Sequence, residues 1–594
     1  MRKIWPLDEA LAGVALTLMA LIPILEIVAR PVLGRGVENA PVLVQHLGLV
    51  MAMWGALAAE RHGHLTSLGA VFKGFQPWAQ GAAALVCGLL VWASWQFVAS
   101  EREGAQSLAY GIPMWWVQLA MPIGFALLGF KLAGRCVPQL GGRIFLGLLL
   151  PVLGYGLGLV GDGEVVALWP MVLGLVFMLL CGAPIFAVLG GLALALFWQA
   201  GLPLASIALS HYQITVNPSL PALPLFTLAG LVFARTGAAK RLGAVFLAMF
   251  GQGVVGSVVA TTVLCSVFTA FTGGSGVTIL ALGGLLLPLL RDAGYPEKKS
   301  ISLVTSASAL GVLLAPSVPL IMYAIIARVP INTMFLAGLI PAVVMVGCLL
   351  VFGGYLRVSR APTTVMSSSE PLSLRGALWQ AKWEILAPVV AVGSLVSGLA
   401  TPTESAALTA IYAVLTQTLA HGELNGRLLA QCLSTCAQII GGVMLILGMA
   451  LGLTNFLVDA GVPDLATDWV QGVTSNKWVF LLALNVFLFF AGALMEIYAA
   501  IVVLVPLLLP LAVSYGIDPV HFGIIFLANM EMGFLCPPAG MNIYFASAVF
   551  GKSLRDVALS VLPALAAIFV GTVLISWLPL VATGLPALVA AGWR

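Results

Sequence analysis

The sequence has very little charge. Only 8% of its 594 residues are Asp, Glu, Lys or Arg, whereas 61% are hydrophobic. A water-soluble globular protein carries about 25% charged residues, so this composition excludes a soluble domain and predicts a polytopic membrane protein in a lipid bilayer. The net charge of +4 is small and lies in the loops, where it bears on orientation and does not indicate a nucleic-acid partner.

Cysteine and histidine are scarce and scattered. The eight cysteines form no Cys-x-x-Cys pair, and the six histidines are dispersed. Cys432 and Cys436 share a helix face, where helix packing explains them better than a disulfide or a metal pair. A membrane enzyme needs clustered His, Asp or Ser, so we expect no catalytic residue, no enzymatic activity and no cofactor. A channel would need a continuous polar pore lining, which is also lacking.

Long polar stretches are rare too. The apolar runs are about 17 to 30 residues long, which suits helices that cross a core about 30 Å thick and not the alternating strands of a membrane barrel. Residues 1–142 contain four such segments, and the first lacks a small-residue cleavage site, so it is predicted to be retained. Residues 143–165 are predicted to form a connecting helix. Basic residues collect on alternate sides of the four segments, which predicts a cytoplasmic N-terminus.

The remaining chain contains an internal repeat. An offset of 222 positions carries one set of helix-breaking residues onto another: Pro288 to Pro510, Gly294 to Gly516, Gly311 to Gly533 and Pro316 to Pro538. The polar residues 357–383, a predicted cytoplasmic linker, separate repeat one, 166–356, from repeat two, 384–594. Corresponding loops carry opposite charge, so the repeats are predicted to be inverted, each with five crossings and one re-entrant hairpin, near 252–290 and 476–512. This topology places the C-terminus in the periplasm.

Breaks in the apolar helices are the candidate binding elements. Helix-breaking segments at matching places in two halves point to the binding site of a secondary transporter. Gly and Pro leave backbone groups free, and at membrane depth these are tolerated where they line a wet cavity or bind a cation. In repeat one the candidates are Gly273, Gly274, Ser275, Gly276, Ser306, Ser308, Gly311, Pro316 and Ser317. Ordinary kinked helices would explain either break alone, whereas two breaks in both repeats favour a site.

The candidates of repeat two include two carboxylates. The set is Thr401, Thr403, Gly492, Glu496, Asn529, Glu531, Gly533, Cys536, Pro537, Pro538 and Gly540. Ionisable residues in apolar surroundings are expensive and usually functional, so Glu496 and Glu531 are candidates to bind a cation or a proton. The alternative for Glu496 is that it caps a half-helix. Thr403 and Glu404 stand at the start of a helix, where capping alone is the alternative to ion contact.

Several of these stretches resemble a known family. ATPTESAALTAIY at 400–412, SASxLGxxxxPSxPxxxY at 306–323, GIDPVHFGII at 516–525 and CPPAG at 536–540 are similar to the large membrane subunit of tripartite ATP-independent periplasmic (TRAP) transporters. Residues 29–69 resemble that family's small four-helix subunit. The resemblance implies an all-α membrane protein in which a four-helix unit and a connecting helix are fused to an inverted-repeat, elevator-type transporter with two re-entrant hairpins.

The resemblance also implies a function. It implies uptake of a small organic acid, typically a carboxylate, across the bacterial inner membrane, with delivery by a periplasmic solute-binding protein and Na⁺ as the coupling ion. The Na⁺ sites would lie near Gly311–Pro316 and Gly533–Pro538 and consist mostly of backbone carbonyls. The alternative is a Na⁺/carboxylate symporter that needs no binding protein, which leaves the four-helix unit unexplained. The two hairpins and broken spans are expected to move past a frame that includes residues 331–356.

Three positions depart from the family's pattern. The first hairpin tip of the family is usually Ser-Gly-Ser-Ala-like, whereas this chain has Gly273 to Gly276. The family's Thr-Pro-Pro-Val-Gly is replaced by the sequence from Cys536 to Gly540, and Glu531 stands at a usually apolar position. These departures leave the fold unaffected and bear on the number of coupling ions.

Overall fold

The computed structural model describes residues 6–33, 36–63, 65, 67, 72–104, 106–161, 167–251, 253–357, 373–537 and 540–592. Within these ranges the regular structure is helical, and one isolated bridge between Ser107 and Pro113 is the only β pairing. In this part of the chain, 13 helices are long and apolar enough to cross a membrane, or up to 14 if the bent pair Ala222–Ala234 and Ala238–Phe250 forms one span. The predicted all-α polytopic fold is confirmed.

The first 161 residues form the four predicted apolar segments and the connecting helix. Their helices are α1 Leu7–Leu33, α2 Ala40–His62, α3 Gln76–Gly104, α4 Met114–Gln118, α5 Ala120–Ala133 and α6 Leu140–Gly161. The fourth segment is divided between α4 and α5, and α6 overlaps residues 143–165, which are predicted to form the connecting helix.

Repeat one begins with short helices. Its elements are α7 Leu168–Leu180, α8 Ile185–Gln199, α9 Ala205–Thr215, α10 Ala222–Ala234, α11 Ala238–Phe250, α12 Val254–Thr272, α13 Ser275–Asp292, α14 Glu297–Leu310, α15 Val318–Ile326 and α16 Ile331–Phe352, with a 3₁₀ turn at Gly311–Leu313. Residues 167–199 therefore form two short helices, because the Gly182-Ala183-Pro184 sequence ends α7 and starts α8.

Repeat two contains the longest helix of the described chain. Its elements are α17 Leu374–Gln380, α18 Lys382–Val396, α19 Pro402–Leu415, α20 Gly426–Asp459, α21 Val462–Val473, α22 Lys477–Leu494, α23 Ile497–Ser514, α24 Pro519–Gly533, α25 Met541–Phe550, α26 Leu554–Trp577 and α27 Pro579–Gly592, with a π-helical turn at Thr416–Ala420. Residues 358–372 of the predicted linker lie outside the described residues, and α17 and the start of α18 fall within its predicted bounds.

The bounds of the helices show the same 222-residue offset that the sequence predicts for the internal repeat. α23 begins and ends 222 residues after α13, and α24 begins 222 residues after α14. Both hairpins fall where the sequence predicts them, α12 and α13 forming the first and α22 and α23 the second. Gly311 and Gly533 lie at the ends of α14 and α24, and Gly294 and Gly516 follow α13 and α23, because the conformational freedom of glycine acts locally. Pro288 and Pro510 lie at matching places inside α13 and α23.

The chain divides into two compact units. Unit one comprises Met1–Leu225, Ala430–Pro463 and Val502–Leu507. In it, α2 approaches α20 so closely that a Cβ on Gly55 would lie 3.0 Å from the carbonyl carbon of Ala437. Small residues at such crossings let helix backbones come together in lipid, where packing replaces the hydrophobic effect.

Unit two comprises Phe226–Leu429, Asp464–Ile501 and Leu508–Arg594. It contains both broken spans and both hairpins apart from residues 502–507. In it, α16 packs against α15, α24, α26 and α27. Residues 331–356, which are expected to belong to a stationary frame, therefore pack on the broken spans themselves. Which body they move with stays a prediction.

An ion-pair cluster around Arg241 joins α11 to α18 within unit two. Its guanidinium contacts Glu384 and Glu423 at 2.7 Å each and donates to Gln417 Oε1 at 2.8 Å. Burial alone would raise the pKa of Glu423, but hydrogen bonds from Arg241 and from the Gly237 N–H outweigh it and hold that pKa below its usual range.

Candidate functional site

The tip of the first hairpin is built from glycine. Gly273 ends α12 with φ +71°, a left-handed conformation that glycine adopts without strain, and Ser275 begins α13. A Cβ on Gly273 would lie 2.7 Å from Val318 at the start of α15, and one on Gly276 would lie 2.5 Å from the ring of Phe545 in α25. The tip is thus enclosed by the second halves of both broken spans.

Hydroxyl groups surround this tip. Thr269 Oγ1 lies 2.7 Å from Thr278 Oγ1 and 2.9 Å from the carbonyl oxygen of Ser308. Ser275 Oγ donates to Asn542 Oδ1 at 2.7 Å, and Asn542 Nδ2 donates to the carbonyl oxygen of Thr305 at 3.3 Å. These bonds connect the hairpin to α14 and α25.

The second hairpin reaches the same place. Tyr498, in the first turn of α23, donates its hydroxyl to the carbonyl oxygen of Gly273 at 2.9 Å. Glu496 is the N-cap of α23, and its carboxylate accepts from the Ala499 N–H at 3.4 Å. The structure therefore agrees with the alternative interpretation of Glu496, which is that it caps a helix. Gly492, another candidate of this hairpin, lies inside α22.

Four helix N-termini therefore lie at the tip of the first hairpin. Ser275 begins α13, Val318 begins α15, Tyr498 is the second residue of α23 and Asn542 is the second residue of α25. Val318 and the Tyr498 hydroxyl lie against Gly273, and Asn542 accepts a hydrogen bond from Ser275, the first residue of α13. Helix N-termini carry partial positive charge and free N–H groups, so this arrangement suits an anion such as a carboxylate.

The glycines at the two breaks have a steric role. A Cβ on Gly311 would lie 2.5 Å from Cβ of Thr269 in α12, and one on Gly533 would lie 2.6 Å from Cα of Gly492 in α22. Each break therefore packs directly on the first arm of the hairpin from its own repeat. Gly311 has φ −71°, so close approach and not a special backbone conformation requires glycine there.

Three candidate side chains at the breaks keep polar atoms without partners. Ser317 Oγ, Asn529 Oδ1 and both carboxylate oxygens of Glu531 are fully buried and have no hydrogen-bond partner among the described residues. Buried polar groups are rarely left unpaired, so each of these oxygens is a candidate ligand for a cation such as Na⁺. Asn529 and Glu531 are two residues apart in α24 and so face different sides of that helix.

Other candidates are satisfied locally. The hydroxyls of Ser306 and Ser308 donate to the carbonyl oxygens of Ser302 and Val304, one turn earlier in α14, at 2.7 Å each. Cys536 Sγ donates to the carbonyl oxygen of Pro537 at 3.5 Å. Pro316 lies between the 3₁₀ turn and α15.

Thr401 and Glu404 form a capping box at the start of α19. The Thr401 N–H donates to Glu404 Oε2 at 2.8 Å, and the Glu404 N–H donates to Thr401 Oγ1 at 3.3 Å. Capping therefore accounts for this pair. Thr403 is the second residue of α19, Gly540 is the N-cap of α25, and Pro538 lies outside the described residues.

Sequence reasoning missed several residues of the site. Thr269, Thr272 and Thr278 recur every three to six residues across the hairpin tip, and this polar stripe in an apolar helix was an available signal. Asn542 and Tyr498 gave no such signal. Their partners are 267 and 225 residues away in the chain, so only the folded structure identifies them.

Comparison with known proteins links both parts of the chain to one transport system. Residues 172–581 match the DctM component of the tripartite ATP-independent periplasmic transporters, and residues 19–141 match the DctQ component. A solved structure, that of the YdaH transporter of Alcanivorax borkumensis, aligns with a TM-score of 0.43 and 16% identity over 59% of this chain and 84% of its own.

Three relatives show the range of named substrates. The isethionate TRAP transporter permease protein DctMQ of Oleidesulfovibrio alaskensis is 30% identical over 82% of this chain and 76% of its own. The C4-dicarboxylate TRAP transporter large permease protein DctM of Rhodobacter capsulatus is 30% identical over 70% of this chain and 97% of its own. The sialic acid TRAP transporter large permease protein SiaM of Vibrio cholerae is 31% identical over 63% of this chain and 87% of its own.

Proposed function

Because the chain belongs to the tripartite ATP-independent periplasmic transporter family and fuses its two membrane components, we propose that it performs sodium-coupled uptake of a small organic acid delivered by a periplasmic binding protein. The membrane would be the bacterial inner membrane, with the N-terminus in the cytoplasm and the C-terminus in the periplasm. The observation that carries the proposal is the convergence of four helix N-termini on the tip of the first hairpin.

That convergence favours an acid as substrate. Partial positive charge at helix N-termini stabilises a carboxylate or sulfonate without any basic side chain. The names of the three relatives, which include a sulfonate and two kinds of carboxylate, support an organic acid as the class. Selectivity between acids would then reside largely in the binding protein.

The breaks support sodium as the coupling ion. Oxygen atoms are the ligands that hard cations prefer, and the unpaired oxygens of Ser317, Asn529 and the Glu531 carboxylate lie at or beside the breaks. When bound, the ion would neutralise a carboxylate that is otherwise buried and unpaired. Coupling follows if the ion completes the packing of the breaks around the substrate.

An elevator movement is the mechanism we favour. Both broken spans, α16 and nearly all of both hairpins belong to one compact unit, which supports their moving as one body. Residues 331–356 would travel with that body, since α16 packs on the breaks.

The test is uptake by the purified full-length chain in proteoliposomes. Radiolabelled succinate, isethionate and sialic acid are supplied with and without the solute-binding protein of the same system, in Na⁺ or in choline buffer. We expect uptake of one acid only with both the binding protein and Na⁺. Strong uptake without the binding protein would establish the independent symporter instead, and equal uptake in choline would remove sodium coupling from the proposal.

A further inference from the structure

A basic groove of about 540 Å³ lies at one end of the four-helix part of unit one. At this end α1 begins, α2 and α5 end, and the connecting helix α6 begins. Four basic residues and one acidic residue line the groove, namely Arg61, Lys131, Arg135, Arg143 and Glu60. Nothing in the transport function described above uses these side chains.

Acidic side chains form ion pairs with three of the four basic residues. Asp8 Oδ2 accepts from Lys131 Nζ and pairs with Arg61 Nη2, both at 2.8 Å, and Glu60 Oε1 pairs with Arg135 Nε at 2.6 Å. Asp8 and Glu60 are buried, whereas the side chains of Arg61 and Arg135 are 39% and 45% exposed. The negative charge is therefore covered, and the positive charge is on the surface of the groove.

The fourth base has no acid to neutralise it. Arg143 is exposed on α6, and its Nε donates to the carbonyl oxygen of Val137 at 3.1 Å, with no acidic partner among the described residues. Glu9, the next acid in the cluster, pairs with His62 at 2.9 Å and lies 3.9 Å from Arg61. The spare N–H donors of these guanidinium groups match the oxygen atoms of a phosphate.

The groove continues into an apolar surface. Phe130, Leu140 and Ile144 line it beside the bases, and Leu148 and Val152 extend the exposed apolar face along α6. Residues 140, 144, 148 and 152 are four apart and so follow one side of the helix. A soluble anion would gain nothing from such a surface, whereas acyl chains would be buried on it.

We propose that this groove binds one anionic phospholipid. The phosphate contacts Arg61, Arg135 and Arg143, and the acyl chains lie along Phe130 and α6. Basic pockets between transmembrane helices are where anionic headgroups bind. The lipid would connect the end of α2 to the connecting helix and so fasten α6 to the four-helix part.

The test measures lipid binding by the purified full-length chain in an uncharged detergent. Cardiolipin, phosphatidylglycerol and phosphatidylcholine are titrated, and bound lipid is counted by native mass spectrometry. We expect one molecule of an anionic lipid to bind and phosphatidylcholine not to. Arg143→Gln should weaken binding about fivefold and Arg61→Gln with Arg143→Gln about thirtyfold, from about 1 kcal/mol for each base near an anionic headgroup.

These variants are chosen so that folding is retained. Within the described part of the chain Arg143 has no acidic partner that its replacement would leave unpaired, and Asp8 keeps its bond to Lys131 when Arg61 is replaced. The matched control is Arg102→Gln, which removes the same charge at the far end of α3, where the guanidinium lies over the ring of Trp115. That control should bind anionic lipid as the unmodified chain does.

Four outcomes would contradict the proposal. The double variant could bind anionic lipid with unchanged affinity, or phosphatidylcholine could bind equally well. Glycerol 3-phosphate, which has the phosphate but no acyl chain, could displace the lipid at equal concentration, which would make the groove a site for small anions. Ile144→Gln should weaken lipid binding while leaving all four bases in place, and an unchanged affinity there would also contradict the role of the apolar wall.

Discussion

Replacing Gly533 with alanine should strongly disturb the break of repeat two. A Cβ at this position would lie 2.6 Å from Cα of Gly492 and 2.8 Å from the backbone N of Ala493. Both neighbours are backbone atoms, so no side chain can rotate away. Carbon atoms pack at about 3.5–4.0 Å, and α22 and α24 would have to separate by about 1 Å.

The expected cost follows from that displacement. Overpacking a tight interior costs about 1–3 kcal/mol, which corresponds to a factor of about 5 to 150 in an equilibrium constant. The reciprocal change, Gly492→Ala, would place its Cβ 3.2 Å from Cα of Met530, a conflict of only a few tenths of an ångström. We therefore expect Gly492→Ala to be clearly milder than Gly533→Ala.

The assay is thermal unfolding of the purified chain together with uptake in proteoliposomes. Gly284→Ala is the control, since a Cβ there meets nothing within 4 Å in the second arm of the first hairpin. A helical glycine replaced by alanine gains up to about 1 kcal/mol in propensity, so this control should be neutral or stabilised. The reasoning is refuted if Gly533→Ala unfolds at the same temperature as Gly284→Ala and transports equally well.

Three further predictions test other contacts. Glu531→Gln keeps the shape of the side chain and removes its charge, so it should raise the unfolding temperature in Na⁺-free buffer and weaken stabilisation by added Na⁺ about tenfold or more; an unchanged Na⁺ midpoint would exclude the carboxylate as a ligand. Gly571→Cys places its Cβ 3.3 Å from Cβ of Cys348, so the two cysteines can form a disulfide between α26 and α16. This disulfide should leave uptake intact. Loss of uptake that a reductant reverses would show that these helices separate during transport. Arg241→Met leaves the buried Glu384 without its guanidinium and should cost about 3–5 kcal/mol in unfolding free energy, of which a second change, Glu384→Gln, should restore a large part; no recovery in the double variant would mean that the pair is not the cause.

The sequence alone determined the elements of this fold and their repetition. Glycine and proline act on the backbone within one or two residues, so Gly273, Gly311 and Gly533 mark the ends of helices wherever the chain is packed. For the same reason the 222-residue offset in the sequence reappears in the bounds of α13 and α23. Sparse charge and long apolar runs determined the lipid environment, because no other solvent tolerates them.

Only the tertiary structure decided which groups at those breaks have partners. Glu496 and Glu531 are alike in sequence, each a carboxylate in apolar surroundings, yet the first caps α23 and the second has no partner among the described residues. The partner of Ser275 is Asn542, 267 residues away, and α16 covers the breaks although its sequence resembles any other span. Local propensity does not encode such pairings, because they depend on which distant helix packs against each break once the chain is folded.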